Sequence, residues 1–213
     1  MALKIAKHYV LSTVETLDRL LNTRLKGFEE PFIYRHAKLE LLQNCPVSEL
    51  VPPQRYVLSG TVQTILELYE EFKSLGVDIF ALQGALLFWT DGMDLTGPPI
   101  PFLPPIVEES TERDGQVVKL VNDGMHRTFA ARMLGLKPNV IFVSNLPPEY
   151  PYYAYGFQGG WSQVQYFDEL PDVFQKKDYR NPENYKKLFR QFNAVFPGIQ
   201  EQRKQSNPKH IKE

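Results

Sequence analysis

The segment 121–135, VNDGMHRTFAARMLG, constrains the fold of this chain more than any other. It opens on apolar residues typical of the end of a β-strand, and Asp123-Gly124 then indicates a sharp turn. The apolar spacing that follows predicts a helix, which a glycine ends as a C-terminal stop signal. The segment therefore predicts a strand, a glycine turn and a helix in succession, with His126 and Arg127 in the first helical turn.

The start of this helix is a predicted anion-binding position. The first backbone N–H groups of a helix have no partner within the helix, and the helix dipole places partial positive charge there. Gly124 has no side chain at the point where a ligand would approach the backbone. The alternative is an ordinary strand-to-helix junction with an incidental His-Arg pair, and the residues alone leave both interpretations open.

Composition limits the classes of partner. The 213 residues carry 24 basic and 25 acidic side chains, so the net charge of −1 gives no general attraction for nucleic acid or an anionic membrane. The single cysteine, Cys45, excludes an intramolecular disulfide and a cysteine-based zinc site. The lack of a disulfide makes a reducing cytoplasm the expected location. The N-terminus lacks the pattern of a signal peptide, and no apolar run is long enough to predict a transmembrane helix.

The remaining hydrophobic patterns predict an α+β fold, in which helices pack on the faces of a small mixed sheet. We expect an N-terminal helical segment at 1–44, a core at 45–146 and an aromatic, proline-rich C-terminal extension at 147–213 that packs on the core. The apolar run 77–89 is compatible with either helix or strand. The other predicted elements are helices at 9–26, 61–75 and 184–192, strands at 106–107, 116–121 and 139–143, and a hairpin loop with an Asp-Gly turn at 111–116.

The order of motifs over residues 45–143 resembles the ParB–sulfiredoxin superfamily. The matching features are a Pro-Ile-Val strand, a hairpin, the DGMHR turn that opens a helix ending in Leu-Gly, and a following strand. Members of this superfamily bind nucleotides with the triphosphate at the helix start. The resemblance implies that Gly124, Met125, His126 and Arg127 surround the phosphates of ATP, ADP or CTP. It also implies that Asp123 shapes the turn or helps to hold Mg²⁺.

Two departures from the superfamily pattern narrow the expected activity. Sulfiredoxins have a cysteine directly before the His-Arg pair, where this chain has Met125, and a thioether cannot act as a thiolate nucleophile. Chromosome-partitioning members carry a downstream helical DNA-binding module, whereas the sequence after residue 143 is aromatic and rich in proline. The resemblance therefore predicts a fold and a phosphate site without naming a substrate.

Two adjacent carboxylates are the candidate catalytic groups. Glu108 and Glu109 end the Pro-Ile-Val strand, and we expect them to face the DGMHR turn if the two strands of the hairpin pair. Carboxylates beside phosphates hold Mg²⁺ or act as a general base, so Glu108 and Asp123 are the predicted metal ligands. The alternative for the glutamates is a solvated hairpin end. His126 is a further candidate acid or base, although a phosphate contact is its simpler role.

The C-terminal third offers two weaker signals. Its aromatic side chains either stack on a nucleobase or pack on the core of the protein. Its basic side chains either contact phosphate or form a solvated face. The polar tail from Gln200 is expected to be solvated. The aromatic residues are Tyr152, Tyr153, Tyr155, Phe157 and Trp161, and the basic ones are Lys176, Lys177, Arg180 and Arg190.

Two functions remain open at this stage. One is a Mg²⁺-dependent phosphotransferase or nucleotide hydrolase, in which the helix start, Arg127 and the metal neutralise phosphate charge. The other is a non-catalytic module that senses a nucleotide and couples it to a protein partner or to a second copy of the chain. A DNA-binding or nuclease function ranks third, because the charge balance is neutral.

Overall fold

The computed structural model describes residues 3–27 and 32–199 and has an α+β architecture. The predicted solvated tail from Gln200 and part of the N-terminal segment, 28–31, lie outside the described residues. The strands are β1 Ile5–Val10, β2 Lys38–Leu42, β3 Leu50–Val51, β4 Tyr56–Leu58, β5 Leu86–Thr90, β6 Ile100–Phe102, β7 Ile106–Thr111, β8 Val117–Asp123, β9 Val140–Ser144, β10 Ala154–Tyr155, β11 Gln165–Phe167 and β12 Asp178–Tyr179; the helices are α1 Thr13–Leu20, α2 Ser59–Ser74, α3 Met125–Met133 and α4 Phe192–Val195.

The centre of the molecule is a five-stranded mixed sheet in the order β2-β9-β7-β8-β3. β7 and β8 form the predicted antiparallel hairpin, and its turn contains Gly115 at φ 80°. β9 is parallel to β7 and antiparallel to β2, and β3 is parallel to β8. The prediction of a small mixed sheet is confirmed, with β8 ending at the point where α3 begins.

Alternate residues of β9 separate the two faces of this sheet, as the period of a strand requires. Val140 packs in a cluster with the buried sides of α2 and α3, which include Phe72 and Phe129. Ile141 packs in a second cluster with Tyr34 and Phe192, from the N-terminal and C-terminal parts of the chain. The sheet is therefore buried on both faces, with the two long helices on one side only.

The predicted helix at 61–75 is confirmed as α2, which begins two residues earlier and ends one residue earlier. The predicted helix at 9–26 is wrong at both ends. Its first two residues belong to β1, which pairs with β5, and α1 ends at Leu20. Ser12 and Glu15 explain the late start, because they form a reciprocal capping box in which the Glu15 N–H donates to Ser12 Oγ at 3.2 Å.

The predicted helix at 184–192 is also wrong. The structure has only a single 3₁₀ turn at Tyr185–Leu188. The reason is that this backbone bonds to a distant segment: the Lys26 N–H donates to the Phe189 carbonyl at 2.9 Å, and the Gln191 N–H donates to the Arg24 carbonyl at 2.8 Å. A strand-like bridge also joins Leu25 to Arg190. These bonds replace those that an α-helix would have made within the segment.

The N-terminal segment contributes strands as well as α1. β2 lies at one edge of the central sheet, and β1 pairs with β5. The sequence left the run 77–89 open between helix and strand, and its last residues form part of β5. The C-terminal extension packs Tyr152 and Tyr153 against Leu120 of β8. The division at residues 44 and 146 stays a prediction.

Candidate functional site

The turn between β8 and α3 depends on a glycine. Gly124 is the N-cap of α3 and has φ 94°, a left-handed conformation that side chains disfavour. A methyl group on Gly124 would lie 3.0 Å from Nε and Nη2 of Arg127 and 3.0 Å from Cα of Pro105. The backbone therefore turns from strand into helix within one residue, with no side-chain cap on the first amides of α3.

Asp123 and Arg127 form an ion pair across the first turn of α3. Each side chain is about 10% exposed, and the Arg127 guanidinium lies 5.3 Å from the ring centroid of Phe102. The pair holds the turn in shape, which is one of the two roles predicted for Asp123. It also means that the charge of Arg127 is shared with a carboxylate of the protein.

His126 connects this turn to the start of α2. Its Nε2 accepts a hydrogen bond from the Leu58 N–H at 3.0 Å, so this nitrogen carries no proton. Leu58 is the N-cap of α2 and, like Gly124, provides no side-chain cap. The first turns of α2 and α3 therefore lie side by side, and neither helix start is capped by its own N-cap side chain.

Met125 is the first residue of α3, and its side chain is 7% exposed and packs in the core cluster with Phe129. Met125 was predicted to contact phosphate, but only its backbone amide lies at the helix start, because its side chain is buried. Its inward side chain explains why an apolar residue is tolerated within a polar turn.

Glu108 lies in a different environment from the one predicted. Its carboxylate is fully buried and accepts bonds from Arg190, with Nε to Oε1 and Nη2 to Oε2 both at 2.8 Å. The Tyr34 hydroxyl and Asn122 Nδ2 also donate to Oε1, each at 2.6 Å. Burial, reinforced by the charge of Glu108, raises the pKa of Tyr34 well above its usual value.

The remaining N–H groups of Arg190 are satisfied by the backbone. Nη1 donates to the carbonyls of Pro151 and Leu188 at 3.2 and 2.8 Å, and Nη2 donates to that of Tyr150 at 3.0 Å. The pair ties the C-terminal extension to β7. Both carboxylate oxygens of Glu108 are thus engaged inside the protein, and no oxygen is presented to a metal or to the DGMHR turn.

Glu109 points away from this network. It is exposed and lies opposite Lys119 in the β7–β8 register, towards the hairpin loop rather than the Gly124 turn. Lys119 itself pairs with Glu49 at 2.8 Å. Within residues 3–27 and 32–199, no cluster of three or more His, Cys, Asp or Glu side chains is arranged to hold a metal ion.

The aromatic residues of the C-terminal extension mostly pack rather than face a ligand. Trp161 and Tyr152 are 7% and 1% exposed, and Trp161 Nε1 donates to the carbonyls of Val47 and Leu50. The predicted basic cluster is likewise divided: Arg180 pairs with Glu112, whereas Arg190 pairs with Glu108. These side chains do not converge on the start of α3.

Sequence reasoning missed the start of α2 as part of the site. Ser59 and Gly60 open this helix, and Ser59 Oγ donates to Asp168 Oδ1 at 2.5 Å. The available signal was the run Ser-Gly-Thr directly before a clear amphipathic pattern. Its closeness to His126 is a contact between residues 68 positions apart, which no local pattern reports.

A comparison with protein-family models identifies the family. The ParB CE domain model matches residues 15–165, which is more than half of the chain. The chain belongs to this ParB-like family. No curated protein matches it. The matched range begins within α1 and includes β2 and the 3₁₀ turn Gly160–Gln163, so the ParB-like domain extends beyond the residues that the DGMHR motif alone had indicated.

No helix within the described ranges of the chain is long and apolar enough to cross a membrane.

Proposed function

We propose that this ParB-like chain binds the phosphates of a nucleotide, or of another phosphorylated ligand, at the adjoining starts of α2 and α3. The observation that carries the proposal is the hydrogen bond between the Leu58 N–H and His126 Nε2, which brings two helix starts together. At each start the first backbone N–H groups have no partner within their own helix and the dipole end is positive, and neither start has a side-chain cap. Two such ends side by side favour a multiply charged anion over a single carboxylate.

The phosphate contacts come chiefly from backbone amides in this proposal. The first amides of Met125, His126 and Arg127 supply one side, and those of Ser59 and Gly60 supply the other. Arg127 contributes charge that Asp123 partly neutralises, since the two form an ion pair. Gly124 permits close approach because any side chain there would strain the turn.

We expect Mg²⁺ to bind together with the phosphates at the starts of α2 and α3. Asp168 lies beside the α2 start through its bond to Ser59, and within the described chain it has no ion-pair partner. Together with Asp123 it would repel bare phosphates. Mg²⁺ sites commonly use one or two carboxylates together with phosphate oxygens, so the ion would offset this repulsion. We therefore expect nucleotide binding to tighten when Mg²⁺ is added.

Binding, rather than turnover, is what the geometry favours. The phosphotransferase or hydrolase interpretation relied on Glu108 or Glu109 near the phosphates. Glu108 is held by Arg190, and Glu109 lies along the hairpin away from the turn. A module that senses a nucleotide and transmits its binding to a protein partner agrees better with this arrangement.

The test adds one negative charge at the second residue of a helix, at two matched positions. Gly60→Glu places a carboxylate at the α2 start, where a new side chain meets open space. Val14→Glu places one at the same position of α1, on a side chain that is 68% exposed. An acidic residue in a first turn stabilises a helix slightly, so both variants should remain folded.

The measurement is calorimetric titration with ATP, ADP, CTP and GTP, with and without Mg²⁺. We expect at least one nucleotide to bind, Gly60→Glu to weaken it about tenfold or more, and Val14→Glu to leave it unchanged. Equal affinity in the parent and in folded Gly60→Glu would remove the α2 start from the site. No binding by any nucleotide or by inorganic phosphate would overturn the proposal.

A further inference from the structure

A second concave site lies away from the starts of α2 and α3. It is a cavity of about 850 Å³ between the β7–β8 hairpin loop, the 3₁₀ turn Val47–Glu49 and the segment around Trp161. Arg132, in the last turn of α3, lines it, but none of the residues 123–127 does. Its volume is in the range of small-molecule sites, about 300–1,000 Å³.

Arg55 is the unusual group in this cavity. Its Nε is buried, and within the described residues it has no hydrogen-bond partner. The guanidinium lies 4.6 Å from the ring centroid of Phe157 and forms no ion pair there. A buried cationic donor without an acceptor costs free energy, so its presence beside a cavity points to an acceptor supplied by a ligand.

The backbone fixes Arg55 in this position. Its N–H donates to the Lys176 carbonyl at 3.0 Å, and its carbonyl accepts from the Gln165 N–H at 2.8 Å. The backbone of Arg55 is therefore fixed before a ligand binds, which reduces the entropy that binding must overcome.

The other charges around the cavity leave a positive excess. Glu112 pairs with Arg180 and Asp178 pairs with Arg113, each at 3.2 Å. Asp114 accepts from the Gln116 N–H within its own turn. Arg55 and Arg132 then face the cavity without an ion-pair partner in the described chain, against the single carboxylate of Asp114.

Aromatic side chains form much of the remaining wall. Phe157 and Trp161 are 5% and 7% exposed, so their rings are fixed by packing. Tyr155 is held between two arginines, with Arg113 and Arg180 at 4.4 and 4.0 Å from its ring centroid. These walls suit a planar or apolar body, while Arg55 suits an oxyanion that can accept two parallel bonds from a guanidinium.

We infer that this cavity is a second ligand site, for a small molecule that joins a planar apolar body to a carboxylate or phosphate group. Arg55 binds the oxyanion and Arg132 adds long-range attraction. The site is independent of the nucleotide site, since the two share no lining residue.

The test uses three probes of one shape: benzoate, phenyl phosphate and uncharged benzyl alcohol. Titration calorimetry should detect saturable binding of benzoate or phenyl phosphate, and the stronger of the two identifies the oxyanion. Benzyl alcohol should bind at least tenfold more weakly, because it lacks the charge that Arg55 recognises. Arg55→Gln should reduce binding of the charged probe about tenfold to a hundredfold.

The matched control is Arg35→Gln. Arg35 also lies over a phenylalanine, 3.8 Å from the ring centroid of Phe32, but it does not line the cavity. Its replacement should leave probe binding unchanged. Thermal unfolding of Arg55→Gln should show a cooperatively folded protein, because the substitution removes a buried donor, Nε, that has no partner within the described residues.

The outcomes separate this site from the nucleotide site. Loss of probe binding in Arg55→Gln with retention in Gly60→Glu supports the inference. Loss in Gly60→Glu with retention in Arg55→Gln means that the probe occupies the helix starts, which overturns the inference and leaves the nucleotide proposal standing. Failure of both charged probes to bind also overturns it.

Discussion

Two buried carboxylate–arginine pairs stand on neighbouring strands and differ in what they connect. Glu108 and Arg190 lie 82 residues apart, are fully buried and have further partners from Tyr34 and Asn122. Asp123 and Arg127 lie four residues apart, are about 10% exposed and border the helix starts. The first pair joins the C-terminal extension to the sheet, whereas the second shapes the turn between β8 and α3. A buried carboxylate–arginine pair in this fold therefore either ties distant segments together or shapes a local turn, depending on which residues it joins.

The largest expected effect is the loss of the buried pair. Glu108→Gln leaves the Arg190 guanidinium buried without its counter-charge, which should lower the free energy of unfolding by about 3–5 kcal/mol. Urea unfolding of the parent and the variant measures the difference. Nucleotide affinity of the folded fraction should be unchanged. A loss of stability below about 1 kcal/mol would mean that the pair does not hold the extension in place.

Substitution of Gly124, the glycine of the β8–α3 turn, should have the next largest effect. Gly124→Ala combines a left-handed backbone with contacts at 3.0 Å, so we expect a loss of about 1–3 kcal/mol in unfolding free energy. The matched control is Gly135→Ala, which also has positive φ, at 67°, but meets open space beyond its Cβ. Equal losses in the two variants would show that only backbone strain, and not the close packing around Gly124, limits this turn.

Loss of the Asp123–Arg127 pair should change nucleotide binding as well as stability. Asp123→Asn removes a negative charge beside the helix starts and releases Arg127 from its ion pair. Stability should fall by about 1–2 kcal/mol, less than for Glu108→Gln, because this pair is about 10% exposed rather than fully buried and joins only neighbouring residues. Without Mg²⁺, nucleotide affinity, measured by calorimetry, should rise severalfold. A fall in affinity without Mg²⁺ would contradict the repulsion that we assign to Asp123.

The smallest effect is expected at Glu109. Its side chain is exposed on the hairpin, so Glu109→Gln should change the free energy of unfolding by less than about 0.5 kcal/mol. Nucleotide affinity should also remain at the parental value. The comparison with Glu108→Gln separates two adjacent glutamates that the sequence alone made equivalent. A drop of a hundredfold in a measured phosphate-release rate would restore Glu109 as a catalytic candidate.

Local signals explain the parts of the fold that were predicted correctly. The β7–β8 hairpin follows from an Asp-Gly turn, and α3 lies between two glycines whose φ values, 94° and 67°, few other residues adopt. The Ser12–Glu15 capping box was an equally local signal that would have placed the start of α1 correctly. Such features depend on residues within one or two turns of each other.

The errors concern contacts between distant residues. The segment 184–192 has helical spacing, but its backbone bonds to 24–27, and its Arg190 is drawn to Glu108. The hydrogen bond from the Leu58 N–H at the start of α2 to His126 Nε2 was not foreseen, and the phosphate role of His126 stays a prediction. Each of these contacts depends on which segments the sheet brings together, and hydrophobic periodicity carries no information about that.

Amide chemical-shift mapping with isotope-labelled protein tests the central claim most directly. On addition of the tightest-binding nucleotide with Mg²⁺, we expect the largest shifts at the backbone amides of residues 124–127 and 59–61. The chemical shifts of the amides near Glu108 and Arg190 should not change, because that pair holds the C-terminal extension against the sheet. Shifts confined to the cavity around Arg55, or to the Glu108–Arg190 pair, would contradict the assignment of the nucleotide to the two helix starts.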